Sequence, residues 1–346
     1  MLVPKLSEGL WLMFYRANLS TDYFTNRQDR YHLFKSKEVT DHFWRIHEAV
    51  GSFSFLVQPS DDPSGFTLSW PEANSAPSPL DSPAAFVKRT TATLEPLILP
   101  TQDNKAAPEF SDTRVYMLAQ MSQVMKPDSS TELPAITHIL KTLSAPNYAS
   151  SSWTFTAGYF NPAPSLTKLL LSTASSTAAE SSSTPVNTVI TAAPEANGFY
   201  KSPGVSGLLP GAYTLLARRF LTAVQSNGRA ADIALKEWRQ GTVGQPGGWT
   251  YHAKGLWITL PGDKDPALSI IGSSNYTKRS YSLDLEVGAL IATRDETLKK
   301  RLGEEQRWLQ DHAAPVTQDD FAKNERRVGL TVRVAMWIVR LVGGQL

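Results

Sequence analysis

Two observations predict an α/β fold. Segments with helical periodicity alternate along the chain with short apolar runs of strand length, an order that packs helices against a sheet. In addition, an asparagine stands eleven residues ahead of a carboxylate in two places, as Asn18 and Asp29 and again as Asn275 and Glu286. Each pair has an arginine close by, Arg27 and Arg279. A repeated spacing of this kind points to an internal duplication.

The elements follow in order. Val39, Phe43, Ile46 and Val50 recur at helical spacing and predict a helix over 38–50. Residues 58–83, rich in proline, serine, aspartate and alanine, read as a surface loop or linker. Residues 112–125 and 134–144 are helical candidates. Trp153–Tyr159 alternates as a strand does and stops at Asn161-Pro162, with a helix over 165–172 behind it. The serine-, threonine- and alanine-rich stretch 173–186 is of low complexity and is expected to be mobile. A short strand, Val189–Ala192, leads through Ala196-Asn197-Gly198-Phe199-Tyr200 to a glycine-rich loop, Gly204-Val205-Ser206-Gly207. Helices are predicted over 211–224 and 229–239. A strand at 255–260, a turn at Pro261-Gly262-Asp263 and a strand at 268–271 come next. A loop, a strand at 285–292 and a charged helix at 295–312 complete the series. From Arg326 to Val342 the chain is apolar, with arginines at 326, 333 and 340. Cations seven apart lie near one face of a helix, which suits a basic amphipathic helix at a lipid interface, or a terminal element packed on the core with its arginines outward.

Composition narrows the function. A chain of 346 residues can bury a sizeable core and hold one large or two medium domains. A net charge of +2 gives no bulk attraction to nucleic acid. The absence of cysteine excludes disulfides, thiolate metal sites and a cysteine nucleophile, and fits a reducing compartment. No histidine, aspartate or glutamate cluster has metal-ligand spacing and no glycine-rich Walker loop occurs, so no metal or cofactor is expected. No run of eighteen uncharged apolar residues predicts a membrane-spanning helix. Met1–Leu19 makes a poor secretory signal or transit peptide, because Glu8 precedes its apolar run and no small-residue cleavage site follows.

The chemistry concentrates between 251 and 286. Tyr251-His252-Ala253-Lys254-Gly255 is followed by Gly272-Ser273-Ser274-Asn275, then Arg279-Ser280 and Glu286. An imidazole can attack phosphorus or protonate a leaving oxygen, an ammonium and an amide can hold phosphoryl oxygens, and a carboxylate can orient the ring. In a strand, residues two apart share a face, so His252 and Lys254 can share a pocket. Of the six histidines, His32, His42, His47, His138, His252 and His312, only His252 has a lysine two residues on.

These residues resemble the phospholipase D superfamily, marked by a duplicated His-x-Lys motif. More closely, the chain is similar to eukaryotic phosphatidylglycerophosphate synthases, the CDP-diacylglycerol–glycerol-3-phosphate 3-phosphatidyltransferases. The stretches that carry the likeness are Asn18–Tyr31, Trp153–Asn161, Ala196–Phe220 and Tyr251–Glu286. The resemblance implies duplicated mixed-sheet domains with flanking helices, the first incomplete: a remnant of the first half over 1–57, a linker or insertion over 58–110, and the second half over 111–346. It implies His252 as general acid and base, with Lys254 and Asn275 on the phosphoryl oxygens. It gives Glu286 the task of orienting His252, and Asp29 that of orienting the histidine of a first motif. Ser273 would donate to phosphate. Asn18 and Asp29 would belong to the first half-site, and Arg27 and Arg279 would be either phosphate ligands or structural ion pairs. The implied substrates are CDP-diacylglycerol and glycerol 3-phosphate, at the mitochondrial inner membrane as a peripheral protein, with no nucleic acid partner.

The chain departs from the pattern twice. Thr259 stands where the superfamily often has aspartate, a departure shared by phosphatidylglycerophosphate synthases. The first His-x-Lys of the pattern lies upstream of the Asn18 counterpart, yet none of the seventeen residues before Asn18 is histidine. The expectation is an N-terminally truncated first half. Three other readings stay open: a different phospholipase D-type phosphodiesterase, a catalytically incomplete half-enzyme that binds lipid phosphate, and a homodimer pairing two His252 sites.

Overall fold

The computed structural model describes residues 11–15, 21–99, 111–173 and 186–341. Asn18 and all but the ends of the low-complexity stretch 173–186 lie outside them. In chain order the elements are β1 (Trp11–Tyr15), α1 (Thr21–Thr25), β2 (Arg27–Gln28), β3 (Tyr31–Lys35), α2 (Lys37–Gly51), β4 (Leu56–Pro59), β5 (Phe66–Ser69) and α3 (Pro83–Ile98). Next come β6 (Thr113–Gln120), α4 (Glu132–Leu143), β7 (Ser152–Ala157), α5 (Pro164–Ser172), β8 (Asn187–Ala192), α6 (Leu209–Ser226) and β9 (Ile233–Trp238). The last are β10 (Thr250–Tyr251), β11 (Lys254–Thr259), β12 (Leu268–Gly272), β13 (Glu286–Thr293), α7 (Glu296–Trp308), β14 (Ala313–Pro315), α8 (Gln318–Ala322) and α9 (Leu330–Leu341).

Eight strands form one mixed sheet in the order β14-β9-β8-β7-β11-β12-β13-β6. β7, β8 and β9 are parallel and are joined by the helical crossovers α5 and α6, while the remaining neighbours are antiparallel. Helices cover both faces, so successive residues of a strand enter different cores. Leu256 and Ile258 of β11 pack with Phe155, Leu166 and Phe220 on the α4–α6 face. Trp257 packs with Ile190, Trp238 and Leu302 on the α7 face. There α2 also lies over β12 and β13, through Phe43, Ile271 and Ala289. Ser36 caps α2 by accepting from Val39 N, and Asp295 caps α7 by accepting from Leu298 N.

Coverage on both faces explains the elements that differ from expectation. Residues 112–125, expected as a helix, contain β6: Leu118 enters one core and Ala119 another, and such a two-faced strand reads as an unbroken apolar run. Residues 229–239, also expected as a helix, contain β9. Its helix-forming Ala234, Lys236 and Glu237 are overridden by parallel pairing with β8. The 58–83 loop holds most of the hairpin β4–β5, and the 58–110 stretch also includes α3, which buries Phe86, Leu94 and Ile98. Arg326 precedes α9 rather than sharing its face, and pairs with Glu237 through both terminal nitrogens.

One buried cation fastens the N-terminal segment to the sheet. The Arg30 side chain is 1% exposed. Its guanidinium donates to both Glu305 carboxylate oxygens at 3.0 and 2.9 Å, to Ile270 O at 2.7 Å, to Lys254 O at 3.2 Å and to Ser269 Oγ at 2.8 Å. It also lies 3.8 Å over the Trp257 ring. Position 255 must be glycine for this, because a Cβ there would run into Arg30 Nη1 and come within 2.5 Å of Ile270 O. Burial alone would raise the Glu305 carboxyl, but Arg30 and His32 outweigh it and hold it well below the usual carboxylate range. Because the folded value is depressed, this contribution is fully present above the ordinary glutamate value of about 4.3 and is lost as pH falls through the folded one. Urea unfolding of the wild type across acid pH should show that decline. Glu305→Gln should be about 3–5 kcal/mol less stable at neutral pH, with Arg30 left unpaired, and flatter toward acid. An acid limb unchanged by the substitution would remove Glu305 from this role.

Candidate active site

The sheet gathers the chemical groups at one of its ends. Lys254 opens β11 opposite Ala157, where β7 finishes. Glu286 opens β13 opposite Gln120, where β6 finishes, and β12 ends at Gly272 opposite Gly288. The His252-Ala253 turn and the Gly272–Asn275 loop therefore sit at the same end. The N-terminal segment reaches it through a second pairing, β2 parallel to β10, with Arg27 opposite Thr250 and Gln28 opposite Tyr251. His252 N extends this ladder by donating to Gln28 O at 2.8 Å.

The residue after Gln28 is Asp29, and its Oδ2 lies 2.8 Å from His252 Nδ1. Both residues are 5% exposed. A carboxylate on Nδ1 holds the ring with its proton on that nitrogen and leaves Nε2 for proton transfer. This corrects the orienting role expected of Glu286. Nδ1 takes one partner, and that partner is Asp29 from the remnant of the first half. Glu286 accepts the hydroxyl hydrogen of Ser273, so the hydroxyl expected to face a phosphate is engaged with a carboxylate.

Lys254 is 1% exposed and donates from Nζ to His252 O, with Nζ 5.9 Å from the Tyr159 ring centroid. Asn275 is half-buried, and its Oδ1 is a buried acceptor with no hydrogen-bond partner among the described residues. A buried acceptor left unmet costs about 1–3 kcal/mol. The next residue, Tyr276, is held left-handed at φ 60°, a conformation unfavourable for a bulky side chain. Its ring is buried 5.0 Å from that of Phe155, and its carbonyl accepts from Ala163 N at 2.8 Å, which offsets the strain. Arg279 is exposed and pairs with Asp284 at 3.4 Å. Arg27 donates to Thr250 Oγ1 at 2.9 Å and lies 4.2 Å over the Tyr23 ring. Asn18 lies outside the described residues.

An aromatic wall was not foreseen. Tyr23 and Tyr159 stand nearly perpendicular to the His252 imidazole, with centroids at 5.4 and 5.8 Å. Phe199 and Tyr213 pack on Tyr159 at 5.6 and 5.4 Å. Burial, with Tyr159 adding to it, pushes the Tyr213 phenol well above its usual value, so it stays protonated. The signal was present in the runs Gly158-Tyr159-Phe160 and Gly198-Phe199-Tyr200, but only the fold brings them to His252. The other histidines are placed elsewhere: His32 on Glu305 at 3.0 Å, His42 and His47 beside Phe43 and Trp44 of α2, His138 on α4, and His312 against Trp238.

A mixed sheet covered by helices on both faces is an α/β fold, here with a His-x-Lys at the sheet's end. Phosphatidylserine synthase of Haemophilus influenzae has the same fold, with a TM-score of 0.64 at 17% identity over 97% of this chain and 68% of that one. No family model matches the chain. Relatives named CDP-diacylglycerol–glycerol-3-phosphate 3-phosphatidyltransferase do match. The Saccharomyces cerevisiae protein is 40% identical over 98% of this chain and 67% of its own length. The Schizosaccharomyces pombe protein is 33% identical over 89% and 64%, and the human mitochondrial protein 32% identical over 94% and 57%. The chain belongs to this transferase family, and it spans about two thirds or less of these relatives' lengths.

The backbone under His252 tolerates no added bulk. A Cβ on Gly158 would lie 2.6 Å from Tyr251 O and 3.1 Å from His252 Cα. Gly158→Ala is expected to cost about 1–3 kcal/mol in urea unfolding. Unchanged stability would show that β7 and the His252 turn are not in this contact.

Proposed function

We propose that this chain carries the acid–base half of a phosphatidyl transfer from CDP-diacylglycerol to sn-glycerol 3-phosphate, giving phosphatidylglycerophosphate and CMP. The observation that carries the reading is the buried Asp29–His252 pair beside Lys254. A histidine nucleophile attacks the phosphatidyl phosphorus and the bond to the CMP oxygen breaks. His252 gives that oxygen its proton. The ring then takes the proton of the glycerol 3-phosphate hydroxyl, whose oxygen displaces the phosphohistidine and restores the nucleophile. Asp29 offsets the charge of the doubly protonated ring that gives the first proton, and it keeps the neutral ring's proton on Nδ1 so that Nε2 can take the second. Lys254 and Asn275 hold the phosphoryl oxygens, Ser273 steadies Glu286 beside them, and Arg279 lies at the exposed rim.

The nucleophile in this scheme is a second imidazole. Each of the other histidines has a place of its own in the fold, and none stands in a His-x-Lys. The second reading is a half-enzyme that binds lipid phosphate without turnover. The names of the human, bovine and mouse relatives include "mitochondrial", which supports a mitochondrial location; within it, the proposal places the protein peripherally on the inner membrane.

The test is an assay of the intact protein with CDP-diacylglycerol and labelled glycerol 3-phosphate. CMP release that requires glycerol 3-phosphate and yields labelled phosphatidylglycerophosphate is expected; release indifferent to glycerol 3-phosphate contradicts the acceptor. His252→Ala should lower turnover by about 10²–10⁴-fold in protein that still folds. Near-normal turnover would remove His252 from the mechanism. Binding of CDP-diacylglycerol with no CMP release would favour the half-enzyme.

A further inference from the structure

The two sides of α9 differ in their surroundings. With 3.6 residues per turn, Val332, Ala335, Met336 and Val339 share one side and are half-buried. Val332 lies against Gly211 of α6, where an added Cβ would come within 3.3 Å of it. Leu330, Val334, Trp337, Ile338 and Leu341 share the other side and are 47–75% exposed. A continuous apolar stripe in water marks an interaction surface. Arg333 borders that stripe.

Arg333 also lines a pocket of about 390 Å³ between α6, α8 and the segment entering α9, together with Arg218, Arg326, Arg327, Asn324 and Leu215. Among the described residues no carboxylate lines it. Glu237 holds Arg326, whereas no described carboxylate pairs with Arg218, Arg327 or Arg333. Guanidinium groups form bidentate bonds to phosphate, and a phosphate pocket continuous with an apolar stripe matches the cross-section of a bilayer surface. A soluble anion would make no use of the stripe. No helix of the described residues is long and apolar enough to cross a membrane, so α9 would lie flat.

We infer that α9 and the Arg218–Arg327–Arg333 pocket dock the protein on an anionic phospholipid bilayer, with a headgroup phosphate among the arginines and the Leu330–Leu341 stripe in the acyl boundary. This names the surface for the membrane association in the proposed function and rests on that part of it. The placement suits a lipid substrate. Arg218 follows Tyr213 of the aromatic wall by five residues on α6, about 7.5 Å of helix rise.

Flotation of the full chain tests this on vesicles of phosphatidylcholine alone and of phosphatidylcholine mixed with an equal amount of phosphatidylglycerol. Binding should require phosphatidylglycerol and weaken with salt. Arg218→Glu/Arg327→Glu/Arg333→Glu, and separately Val334→Ser/Trp337→Ser/Ile338→Ser, should each weaken binding at least tenfold with an unchanged melting curve. If the triple charge reversal does not fold, Arg218→Gln/Arg327→Gln should still weaken it several-fold. Variants that float like wild type, equal binding to phosphatidylcholine alone, or displacement from vesicles by millimolar inorganic phosphate would each overturn the proposal. Turnover on detergent-dispersed substrate should match wild type in these variants. A failed docking surface is thereby told apart from a failed transferase reading.

Discussion

The Arg30 guanidinium is the constraint on which the rest of the site depends. A charge removed from water is costly unless every donor is met. Here Glu305, two main-chain carbonyls and Ser269 meet the donors, and the Trp257 ring lies against the cation's face. These partners belong to β11, β12 and α7. One side chain thus locks the segment after β2 onto the centre of the sheet and onto the α7 layer at once. Asp29 is the preceding residue, so its position is set by that lock and by the β2–β10 pairing. Gly255 provides the room.

The consequence is a site built from distant parts of the chain. His252 and Lys254 come from the start of β11, Asn275 and Glu286 from the two ends of the β12–β13 connection, and Asp29 from the N-terminal segment. The Asp29–His252 pair is nearly dry, which strengthens its electrostatics. Tyrosine rings beside the imidazole exclude water and restrict its rotation. At the same end of the sheet, Tyr276 keeps a strained backbone under Asn275. Local strain supported by a well-packed neighbourhood is a common feature of sites that must place a side chain accurately.

Much of this was legible in the sequence. The α/β class followed from the alternation of patterns, and the strands expected at 153–159, 189–192, 255–260 and 268–271 overlap β7, β8, β11 and β12. His252, Lys254, Ser273, Asn275 and Glu286 were singled out by spacing as candidates, and the fold brings their segments to one end of the sheet. Three things were not legible. Strands β6 and β9, apolar on both faces or rich in helix formers, carry no period that separates them from helices. The hairpin β4–β5 and helix α3 lie in a segment whose proline and serine content reads as linker. The partner of Nδ1 was misassigned because two carboxylates occupy equivalent places in the repeated spacing. Only the contact between residues 223 apart decides between them.

The central claim, that Asp29 rather than Glu286 fixes the His252 ring, can be measured without turnover. Nitrogen-15 chemical shifts of the His252 imidazole distinguish the neutral tautomer protonated on Nδ1 from the one protonated on Nε2. The wild-type chain should show the Nδ1-protonated form. Asp29→Ala should convert it to the commoner Nε2-protonated form, while Glu286→Ala should leave it unchanged. An Nε2-protonated ring in the wild type, or a tautomer that follows Glu286 and ignores Asp29, would contradict the account.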